Sequence, residues 1–275
     1  MQKNEITFVI VTFHSEEIIF DCLDLLPNES KKIIIENSKN MELKSKLESR
    51  YINLKCHLMD QNLGYGKANN IGINLSETEF VFILNPDVRF SSNNFNKFLQ
   101  ILSNEEFTIA APVEKDEFNE NLNKKNVTEV NFVKGFAMLL NKNLLRNDYF
   151  DENIFLYLEE IDLCKRVKNN SGRILRVNVP IVHLGGASHG DKENIEMEKS
   201  RNWHWMWSKF YYKKKYKGYF IGLILTLPSF FTSFVKYLFY SLTKNKIKKN
   251  IYKMRFLGLL NSYLLKKSFY RPKLI

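Results

Sequence analysis

The chain has 275 residues, 44% of them hydrophobic, and a formal net charge of +11; that suits one large domain, or one domain with an appendage. Its three cysteines, Cys22, Cys56 and Cys164, are odd in number and widely spaced, which argues against a disulfide framework or a zinc site and fits incidental thiols in a reducing cytosol. The charge is divided: residues 201–275 hold 17 Lys and Arg and no Asp or Glu, leaving 24 basic against 30 acidic residues before them, so a mildly acidic body carries a strongly basic tail suited to anionic partners.

Residues 6–13, ITFVIVTF, are β-branched and aromatic and read as a first strand, too short for a signal peptide. Ser15 is placed to cap a helix whose apolar residues recur from Ile18 to Leu26. A second strand over 32–35 ends at Glu36-Asn37-Ser38; a helix over 41–51 and a third strand over 54–59 follow. Asn62-Leu63-Gly64-Tyr65-Gly66 is a glycine loop leading into a helix over 67–75. The apolar run 80–84, FVFIL, has the length of a buried strand and stops at Asn85-Pro86-Asp87, because proline cannot donate to a sheet ladder. Strand-helix alternation with short links implies a parallel, doubly wound α/β sheet with Thr12, Glu36 and Asp87 on one edge, where such sheets bind ligands. Asn-Pro-Asp is also ordinary turn chemistry. A carboxylate with an amide two residues earlier is nonetheless a hard-oxygen set suited to Mg2+ or Mn2+.

Beyond a helix over 93–102, residues 114–129 read as an exposed loop or hairpin region. In NFVKGFAMLL, residues 131–140, Gly135 marks either a bulge or a close approach of backbone to a ligand. Residues 151–168 bring a second carboxylate group, Glu159, Glu160 and Asp162. On a helix, Asp162 faces Arg166 as an ordinary ion pair. Glu160 lies among Ile161, Leu163 and Cys164, and such surroundings raise a carboxyl pKa toward what a general base needs. After a short strand over 174–179, His183 precedes Gly185-Gly186; it is either a structural histidine or the completion of a metal site beside a glycine pair open to phosphates.

In the tail, residues 201–217 interleave three tryptophans, Phe210, Tyr211 and Tyr212 with cations. Residues 218–242 are mostly apolar and long enough to span a bilayer. Pro228, Thr226, Ser229, Thr232 and Ser233 instead predict two shorter interfacial helices, with the aromatics and lysines at the headgroups of a membrane surface. Core helices with a solvated basic face are the alternative.

These clusters resemble, in order, the family 2 glycosyltransferases of the GT-A fold, and most closely the bacterial rhamnosyltransferase-like members. The matching segments are VIVTFHS at 9–15, IIIENS at 33–38, NLGYGKANNIGI at 62–73, LNPDVRF at 84–90, VKGFAMLL at 133–140, FDENIFLYLEEIDLCKR at 150–166 and VHLGGAS at 182–188. The resemblance implies a GT-A, Rossmann-like mixed sheet flanked by helices over residues 1–200, with a helical, basic, membrane-associating region over 201–275. It implies that Thr12, Phe13, Glu36, Asn37, Asn62, Gly64, Lys67, Asn69, Asn70, Asn85 and Gly135 line the nucleotide-sugar site. Asp87 and His183 would hold Mn2+ or Mg2+, Asn85 standing where the family's Asp-x-Asp motif has its first carboxylate. Glu160, or its neighbour Glu159, would be the catalytic base. The implied activity is inverting transfer of one sugar from a nucleotide-linked donor (dTDP-rhamnose, or a UDP- or GDP-sugar) to a lipid-linked or polysaccharide acceptor. The enzyme would be cytoplasmic, peripheral on the inner face of the membrane. The processive Gln-x-x-Arg-Trp signature is absent. A nucleic-acid-binding protein using the aromatic, cationic tail is a competing reading, against which the acidic front half counts; so is an inactive homologue retained as an assembly subunit.

Overall fold

The computed structural model describes residues 3–118, 126–185 and 195–272. It forms two compact units: the first comprises residues 1–151 and 160–192, the second residues 152–159 and 193–275.

The first unit is built on strands β1 (Ile6–Thr12), β2 (Lys31–Glu36), β3 (Leu54–Leu58), β4 (Phe80–Leu84), β5 (Val88–Arg89), β6 (Ile109–Glu114), β7 (Val127–Glu129), β8 (Ala137–Asn141) and β9 (Ile174–His183). Their order is β3-β2-β1-β4-β8-β6-β9-β5, with β7 beside β9. The first four strands in that order are parallel, but β8 enters antiparallel between β4 and β6. The sheet is therefore mixed, not parallel throughout.

Alternation along each strand feeds two layers. Phe8, Ile10, Phe82 and Leu84 face one layer with α1 (Ile19–Leu23), α2 (Met41–Arg50) and α4 (Ser92–Leu102). Val9, Val81 and Ile83 face the other, with α3 (Tyr65–Leu75), α5 (Lys142–Leu145) and α6 (Glu159–Asn169). In the first layer Phe82 packs against Phe8, Phe90, Phe95 and Phe98 at centroid distances of 5.5–5.9 Å. Phe90 is the far anchor of the Asn85-Pro86-Asp87 turn, so this cluster fixes both ends of it.

Several sequence expectations change. The cap of α1 falls at Ile18, without a side-chain hydrogen bond; the Ser15 carbonyl accepts from Ile18 and Ile19, and its hydroxyl meets the Phe13 backbone. The glycine-loop helix begins two residues early, at Tyr65. Only residues 137–141 of the segment around Gly135 are strand, so Gly135 is no bulge within a strand. Part of the 114–129 region is strand β7, and residues 119–125 lie outside the described residues. β9 runs on to His183, because its last two residues pair with β5.

The second unit holds α7 (Ile195–Lys217), α8 (Tyr219–Ser241) and α9 (Lys246–Tyr263). Pro228 does not divide the apolar segment: α8 is one 23-residue helix with the proline inside it. Proline removes one backbone hydrogen bond, and the continuous packing of α8 described below carries the helix through. Helices α7 and α9 touch backbone to backbone, since a Cβ on Gly258 would lie 2.3 Å from the Trp203 carbonyl oxygen. Gly258→Ala is thus expected to force the pair apart and lower stability by about 1–3 kcal/mol, read as a fall in the thermal midpoint.

Candidate active site

The carboxyl ends of β1, β2 and β4 form one edge, with Thr12 in register with Glu36. Antiparallel β8 brings its start to the same edge, where Ala137 pairs with Leu84 and the Asn85 amide donates to the Phe136 carbonyl at 2.8 Å. Gly135 and the Asn85-Pro86-Asp87 turn thereby become neighbours.

Asp87 is fully buried. Pairing of Val88 with His183, and a hydrogen bond from the Leu184 amide to the Asp87 carbonyl, bring the histidine beside it. His183 Nε2 stands 3.6 Å from Asp87 Oδ1, and Nδ1 is 3.2 Å from Glu114 Oε1. The imidazole stacks on Phe136 with centroids 4.1 Å apart. Burial works against a charged imidazolium here, but Asp87 and Glu114 outweigh it and hold the pKa above the ordinary histidine value. Glu114 is held in turn by Lys134 at 2.5 Å. Of the glycine pair after His183, Gly185 is described; Gly186 and the rest of that motif lie outside the described residues.

The fit to a divalent metal follows from this donor set. Asp87 and His183 present an oxygen and a nitrogen side by side, and the buried Asn85 Oδ1 has no hydrogen-bond partner among the described residues. Two protein ligands with the remaining positions left to phosphate oxygens and water is a usual arrangement for Mg2+ or Mn2+. Glu114 on the far nitrogen fixes the ring as outer partners of metal-binding histidines do. Among the described residues no group of three His, Cys, Asp or Glu converges on one point, so among them such a site would be held by this pair with Asn85.

The polar cluster at β1 and β2 divides into a residue with an unbonded buried oxygen and residues that hold the loops. Thr12 Oγ1 is buried without a hydrogen-bond partner among the described residues. Phe13 follows it, and its ring meets His14, whose φ is 51°. Glu36 spends its carboxylate on its own turn, accepting from Ser38 N, Ser38 Oγ and Asn40 N. Asn37 ties that turn to the glycine loop through Gly64 O and Leu63 N, both at 3.4 Å, and Asn62 accepts from Gly64 N. Lys67 stands in the first turn of α3. Asn69 and Asn70 lie within that helix rather than in a loop. Asn69 keeps Oδ1 buried and unbonded, whereas Asn70 exchanges two hydrogen bonds with the Phe150 backbone, at 2.9 and 3.0 Å. Asn70 therefore acts on the segment leading to α6.

Glu159 and Glu160 open α6. The two preceding residues, Tyr157 and Leu158, have φ of 70° and 71°, a conformation that costs non-glycine residues energy and gathers at functional sites. Glu160 packs on Gly135, where an added Cβ would lie 3.1 Å from Glu160 Cβ and 3.3 Å from its Cγ. That is the close approach at Gly135: to a side chain of the protein itself. Burial raises the Glu160 pKa, opposed by its own and Ile161's backbone amides. Tyr65 donates to the Gly135 carbonyl at 2.8 Å and so holds the seat. Asp162 pairs with Arg166 at 2.8 Å, the ordinary ion pair expected. The three thiols are buried, and burial pushes each up to about 12, leaving them unreactive. Tyr65, Glu114 and Phe136 were not singled out in the sequence; their contacts join residues 70, 69 and 47 positions apart, and no local pattern announces them.

The mixed sheet and the ligand edge define a GT-A-like α/β protein. A protein-family model described as "Glycosyl transferase family 2" matches residues 7–161, and the chain belongs to that family. It is similar to the low-salt glycan biosynthesis hexosyltransferase Agl10 of Haloferax volcanii, 23% identical over 197 residues, covering 61% of this chain and 63% of that protein, just under two thirds of its length. It is also similar to the rhamnosyltransferase WbbL of Escherichia coli K12, 23% identical over 236 residues, covering 71% of this chain and 88% of that one. The mannosyltransferase PcManGT of Pyrobaculum calidifontis, solved in complex with GDP-Man and Mn2+, superposes with a TM-score of 0.60 at 11% identity, covering 97% and 89% of the two chains.

Gly135→Ala is expected to push Glu160 off its seat by a few tenths of an ångström. Sugar-nucleotide turnover should then fall by about tenfold, with donor binding little changed; comparing kcat with the donor's Kd checks this.

Proposed function

We propose that the protein is an inverting, metal-dependent, single-addition glycosyltransferase. The observation that carries the reading is the Asn85–Phe136 clamp, which sets the Asp87–His183 pair and the Gly135 seat of Glu160 on one sheet edge. In this reading Thr12, Asn69 and Asn85 offer their unbonded oxygens to the nucleotide sugar. The turn organised by Glu36, Asn37, Asn62 and Gly64 shapes the pocket wall. Asp87 and His183 would hold a Mg2+ or Mn2+ ion, which would supply positive charge against the departing diphosphate.

Glu160 accepts the proton of the acceptor hydroxyl as its oxygen bonds to the anomeric carbon and the bond to the diphosphate breaks. Its raised pKa suits that task, and Glu160 rather than Glu159 meets Gly135. The donor we propose is dTDP-rhamnose, on the likeness to WbbL; GDP-Man bound by PcManGT keeps other nucleotides as outcomes of a binding screen. The acceptor is proposed to be a lipid-linked saccharide of a surface glycan, met by an enzyme peripheral on the cytoplasmic face of the membrane. The acid-free tail supports that placement.

A thermal-shift screen of nucleotide sugars with Mn2+ tests the donor site, because a ligand bound only by the folded state raises the midpoint. Asp87→Ala is expected to weaken Mn2+-dependent binding of nucleoside diphosphates by more than about tenfold. Undiminished binding would remove Asp87 from the metal site.

Glu160→Gln is expected to lose turnover by on the order of a hundredfold while keeping donor affinity. The sign of the pH effect follows from the raised pKa. Deprotonated Glu160 is the active form, so kcat falls as pH drops, with the acid limb above the ordinary glutamate range. A carboxyl with a raised folded-state pKa favours the fold below its unfolded pKa and loses that contribution as pH rises through the folded value. At neutral pH, Glu160→Gln should therefore keep or gain thermal stability. A collapse in Glu159→Gln instead would move the base by one position.

A further inference from the structure

Helix α8 is inverted relative to a helix of a water-soluble bundle. Its small and polar residues face inward: Gly222, Thr226 and Ser233 are buried, and Ser229 Oγ bonds Lys209 of α7 at 2.7 Å. Its large apolar residues face out, with Phe220 78%, Ile224 64%, Val235 60% and Phe239 59% exposed, and Leu242 beyond its end 91%. At 1.5 Å per residue its 23 residues make an apolar strip about 34 Å long. Lysines bracket it: Lys213, Lys214, Lys215 and Lys217 before, Lys244, Lys246, Lys248 and Lys249 after. An uncovered apolar strip of that size calls for an occupant. Cation clusters at both ends and no acid anywhere in residues 201–275 match an anionic bilayer better than a protein partner.

By length and hydropathy α8 passes as a membrane span. Its packing argues otherwise. Helix α9 runs antiparallel along it, with Phe230 against Tyr263, Phe234 against Phe256 and Tyr240 against Tyr252 at 5.1–5.6 Å. If α8 crossed the bilayer, Lys209, bonded to Ser229 near its midpoint, and Arg255 of α9, next to the Phe256 that faces Phe234, would enter the hydrocarbon. Each would cost roughly 2.5–3.5 kcal/mol at the centre of a span. Lying in the interface avoids that: the outer face enters the acyl boundary while α7 and α9 stay on the aqueous side. Lys236, whose Nζ donates to Tyr252 OH at 3.3 Å, already turns its charge back toward α9.

We propose that α8 is a monotopic, in-plane anchor seated on anionic phospholipid, not a transmembrane helix; this rests on the membrane-surface reading above and specifies its geometry. The test uses the full chain and preformed vesicles of phosphatidylcholine with or without phosphatidylglycerol. Single cysteines replace Lys217 or Lys244, exposed at the two ends of the strip and on the aqueous side of an in-plane helix, and are probed with a membrane-impermeant maleimide, the native cysteines being buried. Expected are co-sedimentation with the phosphatidylglycerol vesicles that declines with added salt, and labelling of both cysteines from outside without detergent. Phe231→Asp with Val235→Asp should weaken vesicle binding by at least about tenfold at an unchanged thermal midpoint. Binding with the Lys244 position reached only after detergent would overturn the in-plane seating and leave membrane association standing. No sedimentation with either vesicle would overturn the membrane reading itself, as would a stable dimer that excludes vesicles. Donor hydrolysis in the same samples reports on the transferase reading separately.

Discussion

The site depends on one backbone hydrogen bond and the strand direction behind it. Asn85 N–H reaches Phe136 O because β8 runs antiparallel to β4, so the start of one strand lies at the end of the other. With β8 parallel, Gly135 would sit at the opposite edge, a strand's length from Asp87. Pro86 stops β4 at the point where the turn can bury Asp87, and Phe90 pins the turn's exit in the aromatic cluster. The Asp87–His183 pair and Glu160 thus come together at one edge from segments some 70 residues apart without either needing a long flexible loop.

The second constraint is the contact between Glu160 and Gly135. Glycine there removes the one atom that would compete with the glutamate for space, and the surrounding protein then desolvates the carboxyl. Desolvation that raises the pKa also disfavours the charged form at neutral pH. The fold gives up some stability to bury this carboxyl, and more at the left-handed backbone of Tyr157 and Leu158 just before α6.

Much of this was legible in the sequence. Continuous runs of β-branched, aromatic and apolar residues marked β1, β2 and β4, and the proline marked where β4 ends, so the edge carrying Thr12, Glu36 and Asp87 followed from pattern alone. Long-range partners did not. Asn70 looks like a pocket residue, yet its amide is used by the Phe150 backbone 80 positions away. Glu36 looks like a nucleotide-site residue, and even its local partners, Ser38 and Asn40, were not foreseen as the groups that take up its oxygens. The antiparallel entry of β8 carries no local signature, because strand direction is a property of pairing and not of the segment.

Pro228 misled for a related reason. Read along the chain, a proline among threonines and serines looks like a break between two short helices. Read across the helix, Thr226 bonds back to Gly222 O and Ser233 back to Ser229 O, so the hydroxyls satisfy backbone carbonyls within one continuous helix. Those hydroxyls need no water, and this frees the helix to turn its small polar side inward. The large apolar side is what remains, and it covers the outer face for the whole length of α8. The inversion follows from which carbonyls the hydroxyls reach, a matter of three-dimensional geometry that composition alone does not contain.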